Sequence, residues 1–148
     1  MASTPNPAIT MLFDLASEEV ELAMRQLADA NKALKAEQEK TQMLQGYKQD
    51  YIDHYNVQLS NGLGKEAHLN YQNFLQNLQQ AIDGQEEMVV SAQYEREKVL
   101  EVLQAAQRKK MSFEVLIKRA AKKAIKLESK RDQKMMDEFA MRVKPAGK

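Results

Sequence analysis

The chain has 148 residues, 29% of them charged and only 6% aromatic, with three Pro, five Gly and neither Cys nor Trp. That length predicts one domain, and that balance suits extended helices better than a globular core. Without Cys there is no disulfide framework, thiolate metal site or cysteine nucleophile; with no signal-peptide pattern and no apolar run near the ~18 residues of a membrane span, the expected compartment is the cytoplasm.

The formal net charge of +1 conceals a strong polarity. Residues 8–59 carry nine acids and five bases, and residues 66–107 carry seven acids and two bases. Residues 108–131 carry ten bases against Glu114 and Glu128. A basic segment beside an acidic body orients encounters with an acidic partner.

In chain order, residues 1–7 read as a polar arm, with Asn6 as a helix cap and Pro7 as the first helical position. The first helix is expected over about 7–59. Ser60-Asn61-Gly62-Leu63-Gly64 then breaks it, because Asn-Gly and a second Gly supply the backbone freedom a reversal needs. The second helix is expected over about 65–143, with flexible ends at 1–6 and 144–148 and no Pro before Pro145. At 1.5 Å per residue the two helices would span roughly 80 and 115 Å.

Both helices carry one stripe in alternating steps of three and four, the coiled-coil period. The first runs Ile9, Phe13, Ala16, Val20, Ala23, Leu27, Ala30, Leu34, Glu37, Thr41, Leu44, Lys48, Tyr51, Tyr55. The second runs Tyr71, Leu75, Leu78, Ile82, Gln85, Val89, Ala92, Arg96, Val99, Leu103, Ala106, Lys110, Phe113, Ile117. Folding at the turn pairs positions whose numbers sum to 126, so that Ala23 meets Leu103 and Leu34 meets Ala92, large against small. The predicted fold is all-α: a single-domain antiparallel two-helix coiled-coil hairpin over residues 1–148. Polar seam residues Glu37, Thr41, Gln85, Arg96 and Lys110 are expected to set the register. Gly46 and Gly84 lie inside the helices and allow either a bend or a close approach.

The pairing ends at Ile9 and Ile117, so Lys118 to about Val143 overhangs by roughly 39 Å of single helix. It still carries Ala120, Ala124, Leu127, Met135, Met136, Phe139 and Val143. Such a stripe is either a docking element or part of a frayed basic tail. Near the turn, Leu44, Tyr47 and Tyr51 on one helix and Phe74, Leu78 and Ala81 on the other form a second stripe. It is either a docking surface or a local widening of the seam.

No catalytic constellation emerges, and an enzyme is not expected. His54 and His68 flank the turn and read as solvent-facing side chains, with no metal and no cofactor expected. Asn61-Gly62-Leu63-Gly64-Lys65 lacks the spacing and the Ser or Thr of a phosphate loop. The ten bases read as circling the helix instead of forming one stripe, which places nucleic-acid binding below protein binding. Direct membrane insertion is not expected either.

Two stretches carry a family resemblance. Residues 70–82, Asn-Tyr-Gln-Asn-Phe-Leu-Gln-Asn-Leu-Gln-Gln-Ala-Ile, resemble the start of the second helix of the flagellar export protein family FliJ. Residues 132–140, Asp-Gln-Lys-Met-Met-Asp-Glu-Phe-Ala, resemble its carboxy-terminal signature, and Phe13-Asp14-Leu15-Ala16 with Glu19-Val20-Glu21 its amino-terminal pattern. Lys40, Gln85 and Met135 depart from that pattern.

The resemblance implies a non-enzymatic stalk of the flagellar type III export apparatus, similar to the central stalk of rotary ATPases. It implies three partners: the export ATPase ring, the export gate protein FlhA and export chaperones. The implied ring contacts are Phe13, Lys118, Arg119, Lys122, Lys123, Lys126, Met135, Met136 and Phe139, and the implied gate contacts are Leu44, Tyr47, Tyr51, Phe74, Leu78 and Ala81. It places the chain peripherally at the inner face of the cell membrane. Two other readings stand beside it: an escort for export chaperones without action on the ATPase, and the stalk of a virulence secretion system.

Overall fold

A computed structural model describes residues 6–143. The expectations for the ends at 1–5 and 144–148, Pro145 included, lie outside the described residues. Two α-helices account for nearly all of the described chain: α1 (Pro7–Ser60) and α2 (Lys65–Val143). No strand occurs among the described residues.

The helix ends follow from local chemistry. Ala8 N–H donates to the Asn6 side-chain oxygen at 3.0 Å, and Thr10 N–H to the Asn6 carbonyl at 3.1 Å. Pro7 fits the first helical position because its missing N–H would have no partner there. At the other end of α1, Asn61 N–H reaches the Val57 carbonyl at 3.3 Å and Gly62 N–H the Leu59 carbonyl at 3.2 Å. Gly62 then takes φ +83°, a left-handed conformation that a Cβ would oppose. The α2 helix opens with His68 N–H on the Gly64 carbonyl at 3.0 Å, and Glu66 in its first turn suits the positive end of the helix dipole.

The chain divides into two compact units. The turn unit, Ala23–Leu103, packs α1 and α2 side by side in antiparallel fashion. Ala23, Ile82 and Leu103 are buried, and the stripe positions between them are half-buried. Cross-helix contacts set the register: Lys48 with Gln79, Arg96 with Asn31, Gln85 with Glu37 and Tyr51 with Phe74. Their position numbers sum to 127, 127, 122 and 125, bracketing the pairing rule of 126.

The terminal unit comprises Met1–Leu22 and Gln104–Lys148. Its buried side chains are Ala16, Val20 and Ala106. Ile9, Phe13, Lys110, Phe113 and Ile117 are half-buried around them. Lys110 Nζ stands 5.7 Å from the centre of the Phe13 ring, and Lys109 reaches both carboxylate oxygens of Glu19 at 3.4 Å. Every member of both sequence stripes is thus buried or half-buried. The all-α hairpin of two packed helices is the observed fold class.

Three expectations change. Thr41 hydrogen-bonds the Glu37 carbonyl of its own helix at 3.0 Å, so no cross-helix bond holds it in register. His68 is half-buried, its Nδ1 hydrogen-bonded to the Tyr55 hydroxyl, because the register carries Tyr55 across the turn to it; His54 is exposed. A Cβ added at Gly46 or Gly84 meets nothing within 4 Å, so neither glycine serves a close approach.

Candidate interaction surfaces

Near the turn, four aromatic side chains converge. Tyr51 lies 4.1 Å from Phe74 and 5.0 Å from Tyr71, centroid to centroid, and Tyr55 lies 5.0 Å from Tyr71. All three pairs are tilted, a geometry that adds electrostatic attraction to apolar burial. His68 and His54 sit at the margin, 5.5 Å from Tyr55 and 6.0 Å from Tyr71. Tyr51 and Phe74, both members of the second stripe, are therefore brought together. Leu44, Tyr51 and Leu78 are half-buried in the seam, whereas Tyr47 is 56% exposed, Phe74 46% exposed and Ala81 exposed. The stripe is a mixture: its inner members belong to the seam and its outer members face away from it. Tyr71 and Tyr55 were legible as seam residues, but their place in an aromatic cluster needed the cross-helix register.

A polar lock sits further along the turn unit. Gln85 Nε2 donates to the Glu37 carbonyl at 3.1 Å and to its carboxylate at 2.5 Å. Lys40 Nζ approaches the same carboxylate at 3.5 Å. The Gln85 bond, opposed by partial burial and aided by Lys40, holds the Glu37 carboxyl below its ordinary range. Nearby, a groove of about 590 Å³ is lined by Gln38, Thr41, Gln42, Glu86, Val89 and Val90. Half of these are polar side chains outside the seam stripes, so periodicity gave no sign of the groove.

In the terminal unit the pattern of burial changes at Ile117. From Lys118 to Val143 no side chain is buried, and Ala124 alone is half-buried. Lys118, Arg119, Lys122, Lys123 and Lys126 are all exposed, with Lys118 paired to Glu114 at 3.3 Å. Met135, Met136 and Phe139 are about seven-tenths exposed. Phe13 lies apart from them, half-buried beneath Lys110. Because the segment is one continuous helix, 3.6 residues per turn place Arg119, Lys122, Lys123, Lys126 and Lys130 within an arc of about 100°. These five bases form one stripe after all. Arg108, five turns before Lys126, falls on the same arc, and the impression of encirclement comes from including Lys109, Lys110, Lys118 and Arg131, which belong to other faces.

Among the described residues no group of three or more His, Asp or Glu could hold a metal ion, and no helix is long and apolar enough to cross a membrane.

The fold defines a class of strand-free hairpins built from two long α-helices, with apolar side chains left exposed beyond the seam. Residues 5–144 match the family model described as flagellar FliJ protein, and the chain belongs to the FliJ family. It is 30% identical over 135 residues to the flagellar FliJ protein of Salmonella typhi, covering 91% of this chain and 92% of that one. The flagellar FliJ protein of Escherichia coli K12 matches to the same extent. A solved structure of a YscO homologue from Chlamydia trachomatis shares the fold, with a TM-score of 0.51 at 18% identity over 95% of each chain. The protein is accordingly a component of flagellar, type III protein export.

Proposed function

We propose that the chain is a non-enzymatic stalk that binds the export ATPase ring, promotes its assembly and links it to the export gate protein FlhA. The observation that carries this reading is the exposure of every large apolar side chain and every base between Lys118 and Val143. A helix with a basic stripe and uncovered Met135, Met136 and Phe139 has binding energy to give to another protein. Its mechanism is linkage: contacts offered to an assembled ring, and not to separate ATPase subunits, stabilise the ring.

In this reading Phe13, Lys118, Arg119, Lys122, Lys123, Lys126, Met135, Met136 and Phe139 face the ring. Leu44, Tyr47, Tyr51, Phe74, Leu78 and Ala81 face the gate, with Tyr47, Phe74 and Ala81 making contact and the half-buried members supporting them. Residues 1–148 act as one coiled-coil domain, export chaperones are a third set of partners, and the protein works peripherally at the inner face of the cell membrane.

The test is a titration of the purified chain into its cognate export ATPase, with hydrolysis rate and hexamer formation followed in the same samples. Stimulation together with ring assembly is the expected result. No effect at saturation by a helical sample would replace the stalk with a chaperone escort.

A further inference from the structure

In the terminal unit α2 presents one acid-free arc of positive charge. At 100° per residue, Arg108, Arg119, Lys122, Lys123, Lys126, Lys130 and Lys134 fall within about 120° of one another. All seven are exposed, and none takes part in an ion pair among the described residues. At 1.5 Å per residue they extend along about 39 Å of helix. The acids of the same stretch, Glu114, Glu128 and Asp132, lie at least about 80° outside the arc, and Asp137 ends it. Ala106, Phe113 and Ile117, buried or half-buried, face α1 from the opposite side of α2. Asp14, Glu18 and Glu21 on α1 are therefore held away from the arc by the width of α2, about 10 Å.

We propose that this arc docks on the phosphates of an anionic phospholipid bilayer. From Arg119 to Lys134 the arc holds six bases and Gln133, with no apolar or aromatic residue among them. Protein interfaces bury an apolar core and are depleted in Lys, whereas five of the seven bases here are Lys. A Lys ammonium is a hydrated point charge that needs no matched geometry in its partner. Successive bases from Arg119 onward are at most four residues, about 6 Å, apart. That is inside the screening length of about 8 Å at physiological salt, so they act together.

Shape selects the bilayer among anionic partners. A flat headgroup layer meets a straight helix along its whole length. A duplex strand winds once around its axis in about 34 Å, so it leaves a straight helix before all seven bases are used. Single strands bind by stacking on aromatic side chains, which the arc lacks. With no apolar centre, the arc rests on the headgroups without inserting, as polybasic segments do. This contact extends the peripheral placement proposed above and does not rest on ring or gate binding. Arg119, Lys122, Lys123 and Lys126 also belong to the ring-facing set, so bilayer and ring compete for one stretch.

The experiment pellets the full chain with vesicles of equal parts phosphatidylcholine and phosphatidylglycerol, or of phosphatidylcholine alone. It is run in about 0.1 M and about 1 M salt, which shortens the screening length from about 10 to about 3 Å. The expected result is binding to the anionic vesicles in low salt, at least tenfold weaker in high salt and on neutral vesicles. K122E/K126E should bind at least tenfold more weakly with wild-type helicity. K32E/K35E, an equal charge change at exposed positions outside the terminal unit, should bind as the wild type does. No binding to anionic vesicles in low salt, equal binding to neutral ones, or equal loss in both variants would overturn the proposal. So would a duplex oligonucleotide that strips the chain from the vesicles at equal phosphate concentration. The lipid and salt series on the wild-type chain decide even if a variant fails to fold, and with no ATPase present the outcome is independent of ring binding.

Discussion

Gln85 on α2 donates its side-chain amide to both the backbone carbonyl and the carboxylate of Glu37 on α1. One residue thereby fixes two acceptors on the opposite helix, in a seam whose other contacts are mostly apolar. A one-residue slip would separate the pair and leave half-buried polar atoms without partners.

The lock carries a pH dependence of definite sign. The Glu37 carboxyl titrates lower in the folded chain than in the unfolded one, chiefly through the Gln85 bond. Its contribution is complete above the unfolded value, about 4.3, and is lost as pH falls through the lower folded value. Urea unfolding at pH 7 and near pH 3 should therefore show a smaller acid loss in Gln85→Ala than in the wild type. Equal losses would remove Gln85 as the cause.

Burial ranks the seam. Ile82 is 2% exposed, whereas Val90 on the same helix is 63% exposed. Ile82→Ala should cost about 2–5 kcal/mol through lost apolar transfer and the cavity left behind. Val90→Ala should stay within about 0.5 kcal/mol. Denaturant midpoints of the two variants check the contrast.

Glycines test the backbone. Neither Gly46 nor Gly84 has a neighbour that an added methyl would meet, and both lie in a helix interior. Changing either to Ala should stabilise by up to about 1 kcal/mol. Gly62→Ala should instead destabilise by roughly 1–2 kcal/mol, because φ +83° there is left-handed. Thermal unfolding of the three variants should order them accordingly.

Two surfaces imply two separable losses. Deletion of residues 118–148 removes no buried side chain among the described residues, so helicity of the remainder should persist while ring binding disappears. Tyr47→Ala with Phe74→Ala should weaken binding to FlhA about tenfold or more, as loss of exposed aromatic anchors does, with ATPase stimulation intact. Calorimetry with each partner separates the effects, and equal loss of both in one variant would contradict two surfaces.

The hairpin was legible because a two-helix seam must repeat every 3.5 residues, and burial leaves that repeat in the residue types. Polar members such as Lys48 and Arg96 stayed readable because they hold their phase within it, reaching Gln79 and Asn31 across the seam. Side-chain partnerships were not legible. The Tyr55–His68 bond depends on how the turn returns the chain, and Thr41 satisfied its hydroxyl locally when its position suggested a partner across the seam. The basic stripe escaped notice because bases on other faces were counted with it. Family membership followed from the sequence itself, through the terminal signature at 132–140.

Among the described residues, two of the three buried side chains in the terminal unit, Ala16 and Ala106, are alanines. A buried alanine removes less apolar surface from water than the buried Ile82 or Leu103 of the turn unit, so these positions forfeit less when the helices separate. This unit can open locally at a free energy below that of global unfolding, as a cooperative segment of its own. Its amides would then exchange with solvent ahead of those around Ile82. The end of the protein that offers the most uncovered binding surface is thus also the end cheapest to pry apart, and a partner gripping it gains an adaptable fork instead of a rigid peg.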